Sequence, residues 1–256
     1  MTALPAAFLH APLAHRALHD KAAGRPENSR AAVRAAVAKG YGIEIDVQLT
    51  ADGRAVVFHD YDLGRLTIET GPLRQRSVAE LQAIPLMGGT ESVPTLTDIL
   101  AEVGGRVPVL IEVKDQDGAL GPDVGALEAA VVEDIADYAG PLAVMSFNPH
   151  SMAAMKRLAP HVPRGLTTCG YDPAEWPTLP PKTCERLRGI PDFEHLGACF
   201  ISHQASDLDR PRIAQIKSDG AAVLCWTIRS AQAEAEARRI ADNVTFEGYA
   251  APIPAP

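Results

Sequence analysis

No stretch of this chain is long and apolar enough to span a bilayer. Its opening, MTALPAAFLHAPLAH, has no basic start running into a long apolar segment. Neither a membrane anchor nor a secretory signal is expected, and the cytoplasm is the expected compartment. Positive charge is also short: 24 Lys and Arg against 32 Asp and Glu give a formal net charge of -8. Such a chain has no general affinity for nucleic-acid phosphates or anionic membrane surfaces, so an anionic small substrate would need a local cation or metal. Cysteine is sparse, and Cys169, Cys184, Cys199 and Cys225 form no C-x-x-C or zinc pattern. They are expected to pack as small apolar groups. A glycine-rich phosphate loop after the first apolar run is missing too, which weakens an open doubly wound sheet. What remains is an ordinary globular composition, 46% hydrophobic and 22% charged over 256 residues, enough for one barrel or two small domains.

The informative stretch is Tyr41 to Asp60, YGIEIDVQLTADGRAVVFHD. Ile43, Ile45 and Val47 alternate with Glu44, Asp46 and Gln48. In a strand, residues two apart share a face, so Glu44 and Asp46 point the same way. Adjacent carboxylates repel unless something positive lies between them, and a hard divalent cation with oxygen ligands suits that position. A turn at Asp52-Gly53 can fold back the second run, Ala55 to Phe58, which ends in His59-Asp60. Histidine beside a metal site is a proton-transfer group. Taken alone, the stretch equally fits an amphipathic strand with a solvated acidic face and an incidental histidine.

Elsewhere, strands are expected at Ala6 to Ala14, Val107 to Val113, Leu142 to Met145, Arg164 to Thr168, Cys199 to Ser202, Ala221 to Thr227 and Asn243 to Phe246. Helical patterns separate them. One is capped by Asn28 or Ser29 and stopped by Gly40, and others run over Thr95 to Val103, Val124 to Tyr138 and Pro149 to Leu158. The segment 171–189 is proline-rich and carries no clear pattern. This alternation predicts an α/β fold, a (β/α)8 TIM barrel forming a single domain over 1–256, with a small insertion after the third strand at 61–94. Nine strand candidates exceed the eight of a closed barrel, and the last is expected not to be a full barrel strand. His15-Arg16, Glu44 and Asp46, His59, Glu112 and Lys114, Ser146 and Trp226 all fall at strand C-termini, the face where such barrels carry their active sites. Three carboxylates, two cations and two histidines are what phosphodiester cleavage requires: a Lewis acid, charge neutralisation of phosphate oxygens, and a proton acceptor and donor.

Beyond the residue chemistry, the N-terminal half resembles the glycerophosphodiester phosphodiesterase family. The resemblance is carried by His15-Arg16, Pro26-Glu27-Asn28-Ser29, Glu44-x-Asp46-Val47, Thr50-x-Asp52-Gly53 and Val57-Phe58-His59-Asp60. Arg65-x-Thr67, Pro94-Thr95-Leu96, Ile111-Glu112-Val113-Lys114, Ser146-Phe147 and Trp226-Thr227 extend it. It is dense from about 13 to 115 and sparse beyond. The family implies a barrel with Ca2+ or Mg2+ held by Glu44, Asp46 and Glu112, and His15 and His59 as the acid/base pair. It places Arg16 and Lys114 on the phosphate; Glu27 is a further candidate substrate contact, and Trp226 is either a wall for the glycerol or alcohol part or plain core. The implied reaction is hydrolysis of a small-molecule glycerophosphodiester to glycerol 3-phosphate and an alcohol, through a cyclic phosphate if a glycerol hydroxyl attacks first.

The chain departs from the family pattern in places. Ala17 replaces the usual glycine, the following loop carries His19 and Asp20, Ile228-Arg229 replaces Val-Asn, and Thr245-Phe246-Glu247 replaces the closing Thr-Asp-Pro signal. These changes bear on the alcohol side of specificity; Arg229 is either a contact for a more acidic substrate or a solvated surface group. Glu27 and Asn28 either line the site or, for Asn28, cap a helix, and His203 is a further candidate beside a strand end. Two alternatives share the fold: a lysophospholipid or sphingolipid headgroup-cleaving phosphodiesterase, for which no membrane-binding loop or basic patch appears, and a non-catalytic phosphate-ester-binding barrel, which would require a missing ligand or histidine.

Overall fold

Alternation along each strand sorts the side chains of this barrel. In the computed structural model, which describes residues 2–255, Ile43, Ile45 and Val47 face outward and join Val109, Ile111 and Val113 against surrounding helices. The inward positions divide by height. At one end Leu13, Leu110, Ala143, Met145, Phe200 and Leu224 fill the lumen, joined by Phe8 from below. Interior-facing residues of small barrels pack as solid layers, so this end is a plug rather than a pore. Gly165 makes room for it, because a Cβ there would lie 2.4 Å from the Phe200 ring. The other end is polar.

The strands are β1 (Leu13–Ala14), β2 (Gly42–Leu49), β3 (Ala55–Val57), β4 (Val109–Val113), β5 (Leu142–Ser146), β6 (Arg164–Thr168), β7 (Phe200–Gln204), β8 (Ala222–Ile228) and β9 (Asn243–Phe246). Eight of them run parallel in the order β1-β2-β4-β5-β6-β7-β8-β9, and β1 pairs with both β2 and β9 to close the barrel. This corrects the expectation for Asn243 to Phe246: β9 is a full barrel strand, and the surplus strand is β3. After the Asp52-Gly53 turn, β3 pairs antiparallel with the upper half of β2 and with no other barrel strand. A hairpin partner and a barrel strand look alike in one dimension, since both are short apolar runs.

The first expected strand is also shorter than Ala6 to Ala14. Ala7–His10 is a helical turn and only Leu13 and Ala14 pair, the Pro12 ring having no N–H to offer a ladder. Asn243 ties this segment down, its Nδ2 donating to the Phe8 and Ala11 carbonyls at 2.7 and 2.8 Å. The helix Arg30–Lys39 is capped by Ser29, whose side chain accepts from the Ala32 N–H, and Gly40 ends it in the left-handed region. Within 171–189, where no pattern stood out, Pro181–Arg188 is helical. Segment 61–94 contains two 3-10 turns and the helix Val78–Gln82, started by a Ser77/Glu80 capping box. It has its own apolar cluster, in which Phe58, Leu63, Leu73 and Leu81 are buried together. Among the described residues, no helix is long and apolar enough to cross a membrane.

Candidate active site

The register between β2 and β4 builds the centre of the site. Asp46 pairs with Glu112, and Glu44 lies one inward position below, opposite Leu110. All three carboxylates therefore project into the lumen, where ligand atoms from each lie within 4.8 Å of one another, and all three residues are buried. Burial pushes the Glu44 carboxyl well above its ordinary range, reinforced by Asp46 and Glu112. Asp46 shows the opposite outcome: burial disfavours its charge, but Lys114, His59, Arg16 and His15 together hold it well below the carboxylate range. Lys114 Nζ lies 2.7 Å from Glu112 Oε1 and 3.4 Å from Asp46 Oδ1. Those two carboxylates keep its ammonium charged despite burial. Asn28 fixes Asp46 from behind, donating from Nδ2 to Oδ2 at 3.0 Å and accepting the Asp46 N–H at 3.4 Å.

Around this centre lies a cavity of about 210 Å³ lined by His15, Arg16, Glu44, Asp46, His59, Glu112, Lys114 and Trp226. Of the nine residues given a metal, proton-transfer or substrate role from sequence, eight meet here. The ninth, Glu27, stands behind the lining: its Oε1 accepts from Arg16 Nη1 at 2.7 Å, and both its oxygens accept from Arg65 at 2.7 and 2.8 Å. It aims Arg16. Arg16 and Ala17 both have positive φ, 52° and 63°, so the turn after β1 is left-handed at two non-glycine residues. That turn delivers the Arg16 N–H to Glu44 Oε2 at 2.9 Å. Ser146, grouped with the site by its strand-end position, instead donates its hydroxyl to the Val113 carbonyl at 2.6 Å. His203 is fully buried between Thr168 and Asp207 and lies outside the cavity lining.

Each cavity histidine leans on a carboxylate. His59 Nδ1 lies 2.6 Å from Asp60 Oδ1, and His15 Nδ1 lies 2.5 Å from Glu247 Oε2. A carboxylate only accepts, so in both rings Nδ1 carries a proton and Nε2 is the nitrogen left for proton exchange. Burial lowers the pKa of His15, with Glu247 opposing, so the imidazole is neutral at pH 7. Glu247 is itself held far below the carboxylate range, first by His15 and then by His19, whose Nε2 is 3.5 Å away; Arg229 Nε donates to its other oxygen at 2.7 Å.

Sequence reasoning assigned no role to Glu247, and its partnership spans 232 positions. The one available signal was its place just beyond a strand end on the catalytic face. It also passed over Ser202 and Thr245, which line the cavity and whose hydroxyl oxygens, with Arg16 Nε, are buried without a hydrogen-bond partner among the described residues. Such groups are costly unless a ligand completes them. Three buried carboxylates outnumber the two cations set against them, Lys114 and Arg16, whose Nε lies 3.6 Å from Asp46 Oδ2, so the donor set fits an added hard divalent ion.

Residues 15–245 match the Glycerophosphoryl diester phosphodiesterase family. A phosphodiesterase of Oleispira antarctica, solved in complex with the product sn-glycerol-3-phosphate, superposes with a TM-score of 0.74 at 27% identity, covering 94% of this chain and 93% of that one. A glycerophosphodiester phosphodiesterase of Caldanaerobacter subterraneus is 31% identical over 156 residues, 57% of this chain and 63% of its own. One from Parabacteroides distasonis, at 23% identity and a TM-score of 0.72 over 91% of each chain, shares the fold. With every residue lining the 210 Å³ cavity inside the matched span, this chain belongs to the glycerophosphoryl diester phosphodiesterase family, a family of phosphoric diester hydrolases.

Proposed function

We propose that the protein hydrolyses glycerophosphodiesters to glycerol 3-phosphate and an alcohol, with Ca2+ or Mg2+ held by Glu44, Asp46 and Glu112. The observation that carries this reading is the clustering of three buried carboxylates within 4.8 Å of one another, in a cavity that also holds two carboxylate-backed histidines. When bound there, such an ion supplies charge neutralisation and Lewis-acid polarisation of the phosphoryl group. The chain's own residues do the rest. Arg16, aimed by Glu27, and Lys114 bind the non-bridging oxygens. Ser202 and Thr245 hydroxyls and the Trp226 ring receive the glycerol part, which has both hydroxyls and an apolar edge.

The histidines divide the proton work. His15 is the neutral imidazole on the Ser202 and Thr245 side, so it accepts the proton of the attacking oxygen at Nε2, and Glu247 stabilises the imidazolium that results. A second cavity, of about 720 Å³, adjoins this one and is lined by Tyr61, Leu120 and Trp176; His59 lines both, which puts it on the leaving-alcohol side, where as an imidazolium it gives a proton. The attacking oxygen is a water or a neighbouring glycerol hydroxyl, the latter giving a cyclic phosphate first. The test is release of glycerol 3-phosphate by metal-stripped protein with calcium, magnesium, manganese or zinc restored in turn. Calcium or magnesium should restore turnover, and turnover unchanged by stripping would overturn the metal assignment.

A further inference from the structure

We infer that His15, His19 and Glu247 form a second metal site, which takes zinc-class ions and shuts the enzyme down when filled. Ligand atoms of these three side chains lie within 4.8 Å of one another, as a group apart from Glu44, Asp46 and Glu112. Two of the three, His19 and Glu247, stand where the chain departs from its family's sequence pattern. The inference rests on the hydrolase reading only for its inhibitory consequence, since binding at this cluster needs no turnover.

The donor set differs in kind from that of the triad. Glu44, Asp46 and Glu112 offer oxygens alone and suit a hard ion, whereas two imidazoles and one carboxylate suit a borderline ion such as zinc. Glu247 Oε2 sits 2.5 Å from His15 Nδ1 and 3.5 Å from His19 Nε2. Arg229 Nε holds the other oxygen, Oε1, at 2.7 Å and so fixes the carboxylate with Oε2 turned to the histidines, as outer partners of metal ligands do. His19 Nε2 is buried yet has no hydrogen-bond partner among the described residues. A tetrahedral ion with bonds of about 2.0–2.1 Å spaces its ligands roughly 3.3 Å apart. His19 already stands at that range, and the His15–Glu247 contact has to open by about 0.8 Å. His19 also lines an outer cleft of about 500 Å³, an approach separate from the substrate cavity. Arg25, paired with Asp20, and Lys39 line that cleft and oppose a cation, which makes the site a reversible one rather than a structural one.

Filling the site changes which His15 nitrogen carries the proton. With Nδ1 bonded to the ion, the ring's one remaining proton sits on Nε2, the nitrogen that serves the attacking oxygen. The proton count of the neutral ring is unchanged, but it has no lone pair left with which to accept a proton. Glu247 is withdrawn from backing His15 in the same step. Turnover therefore stops while the carboxylate triad still holds its own ion.

The experiment titrates calcium-saturated protein with ZnCl2 and reads two things: release of glycerol 3-phosphate, and zinc bound per chain by equilibrium dialysis. About one zinc should bind per chain and turnover should fall at least ten-fold, with neither effect relieved by further calcium. His19→Ala should raise the zinc concentrations for half-occupancy and half-inhibition at least about ten-fold, since losing even an outer partner of a metal ligand costs 10- to 100-fold in affinity. Each protein is scored against its own zinc-free rate, so a change in basal activity does not enter. Inhibition that calcium reverses, inhibition unmoved in His19→Ala, or no calcium-resistant zinc binding would overturn the inference and leave the hydrolase reading standing. Zinc binding that His19→Ala weakens, in a protein that cleaves no glycerophosphodiester, would keep the metal site and overturn the hydrolase reading, and with it the inhibitory consequence.

Discussion

The two histidine–carboxylate pairs are the same chemical unit assembled in opposite ways. His59 and Asp60 are chain neighbours, and Asp60 is gripped by Arg65 five residues on, so the whole unit sits in one hairpin and its following turn. Gln48 Nε2 reaches the His59 carbonyl at 3.0 Å and locks the unit to β2. His15 and Glu247 come from opposite ends of the sequence and meet only because β1 and β9 pair. Arg229 completes that unit from the end of β8. One pair is therefore a local device; the other exists only once the barrel has closed. Function at His15 should depend on global closure, and function at His59 on the hairpin.

That contrast breaks most visibly at the imidazoles. His15→Ala and His59→Ala should each lower kcat by roughly 10²- to 10⁴-fold, the usual span for losing a general acid or base, measured as steady-state turnover of soluble protein. The partners come next. Glu247→Gln and Asp60→Asn should cost on the order of 10- to 100-fold, as outer partners that orient a working histidine do. Glu247→Gln carries an additional signature. Glu247 raises the His15 pKa against the lowering by burial, so its removal lowers that pKa further. The acid limb of the kcat/KM profile should then move to lower pH, and Asp60→Asn should leave that limb in place. An acid limb that moved upward would contradict His15 as the base.

Closure itself is tested at Asn243. Asn243→Ala leaves the buried Phe8 and Ala11 carbonyls without their donor, which costs about 1–3 kcal/mol by denaturant titration. Activity should fall with it as β1 loosens against β9, whereas an equally destabilising change within 61–94 should touch His59 first. The smallest effect is expected at Arg229. Its side chain is 66% exposed, so Arg229→Ala should change kcat/KM no more than about two- to five-fold, in line with the under 1 kcal/mol of an exposed ion pair.

The same contrast explains what the sequence made legible. Glu44 and Asp46, or Glu112 and Lys114, share a face by spacing alone, and His59-Asp60 ends a recognisable apolar run. Local rules suffice there. Glu247 carried only its place beyond a strand end, a weak mark because an acidic residue after a short strand is ordinarily solvated and only the β1–β9 pairing gives it His15. Ser202 and Thr245 were passed over for the same reason: which hydroxyl faces a lumen is settled by closure. The misjudged ninth strand belongs to this class as well. β3 and β9 are both short apolar runs, and only the direction of pairing shows that one is a hairpin arm and the other the closing stave.

The central claim is that one face of this barrel, with its carboxylate triad and two backed histidines, splits a glycerophosphodiester on the alcohol side of phosphorus. Phosphorus NMR of the calcium- or magnesium-supplied protein acting on glycerophosphoethanolamine tests it directly. The diester resonance should give way to that of sn-glycerol 3-phosphate with free ethanolamine in solution, and should persist with His15→Ala. A diester signal that survives the wild-type protein, or phosphate that departs on the ethanolamine, would contradict the account.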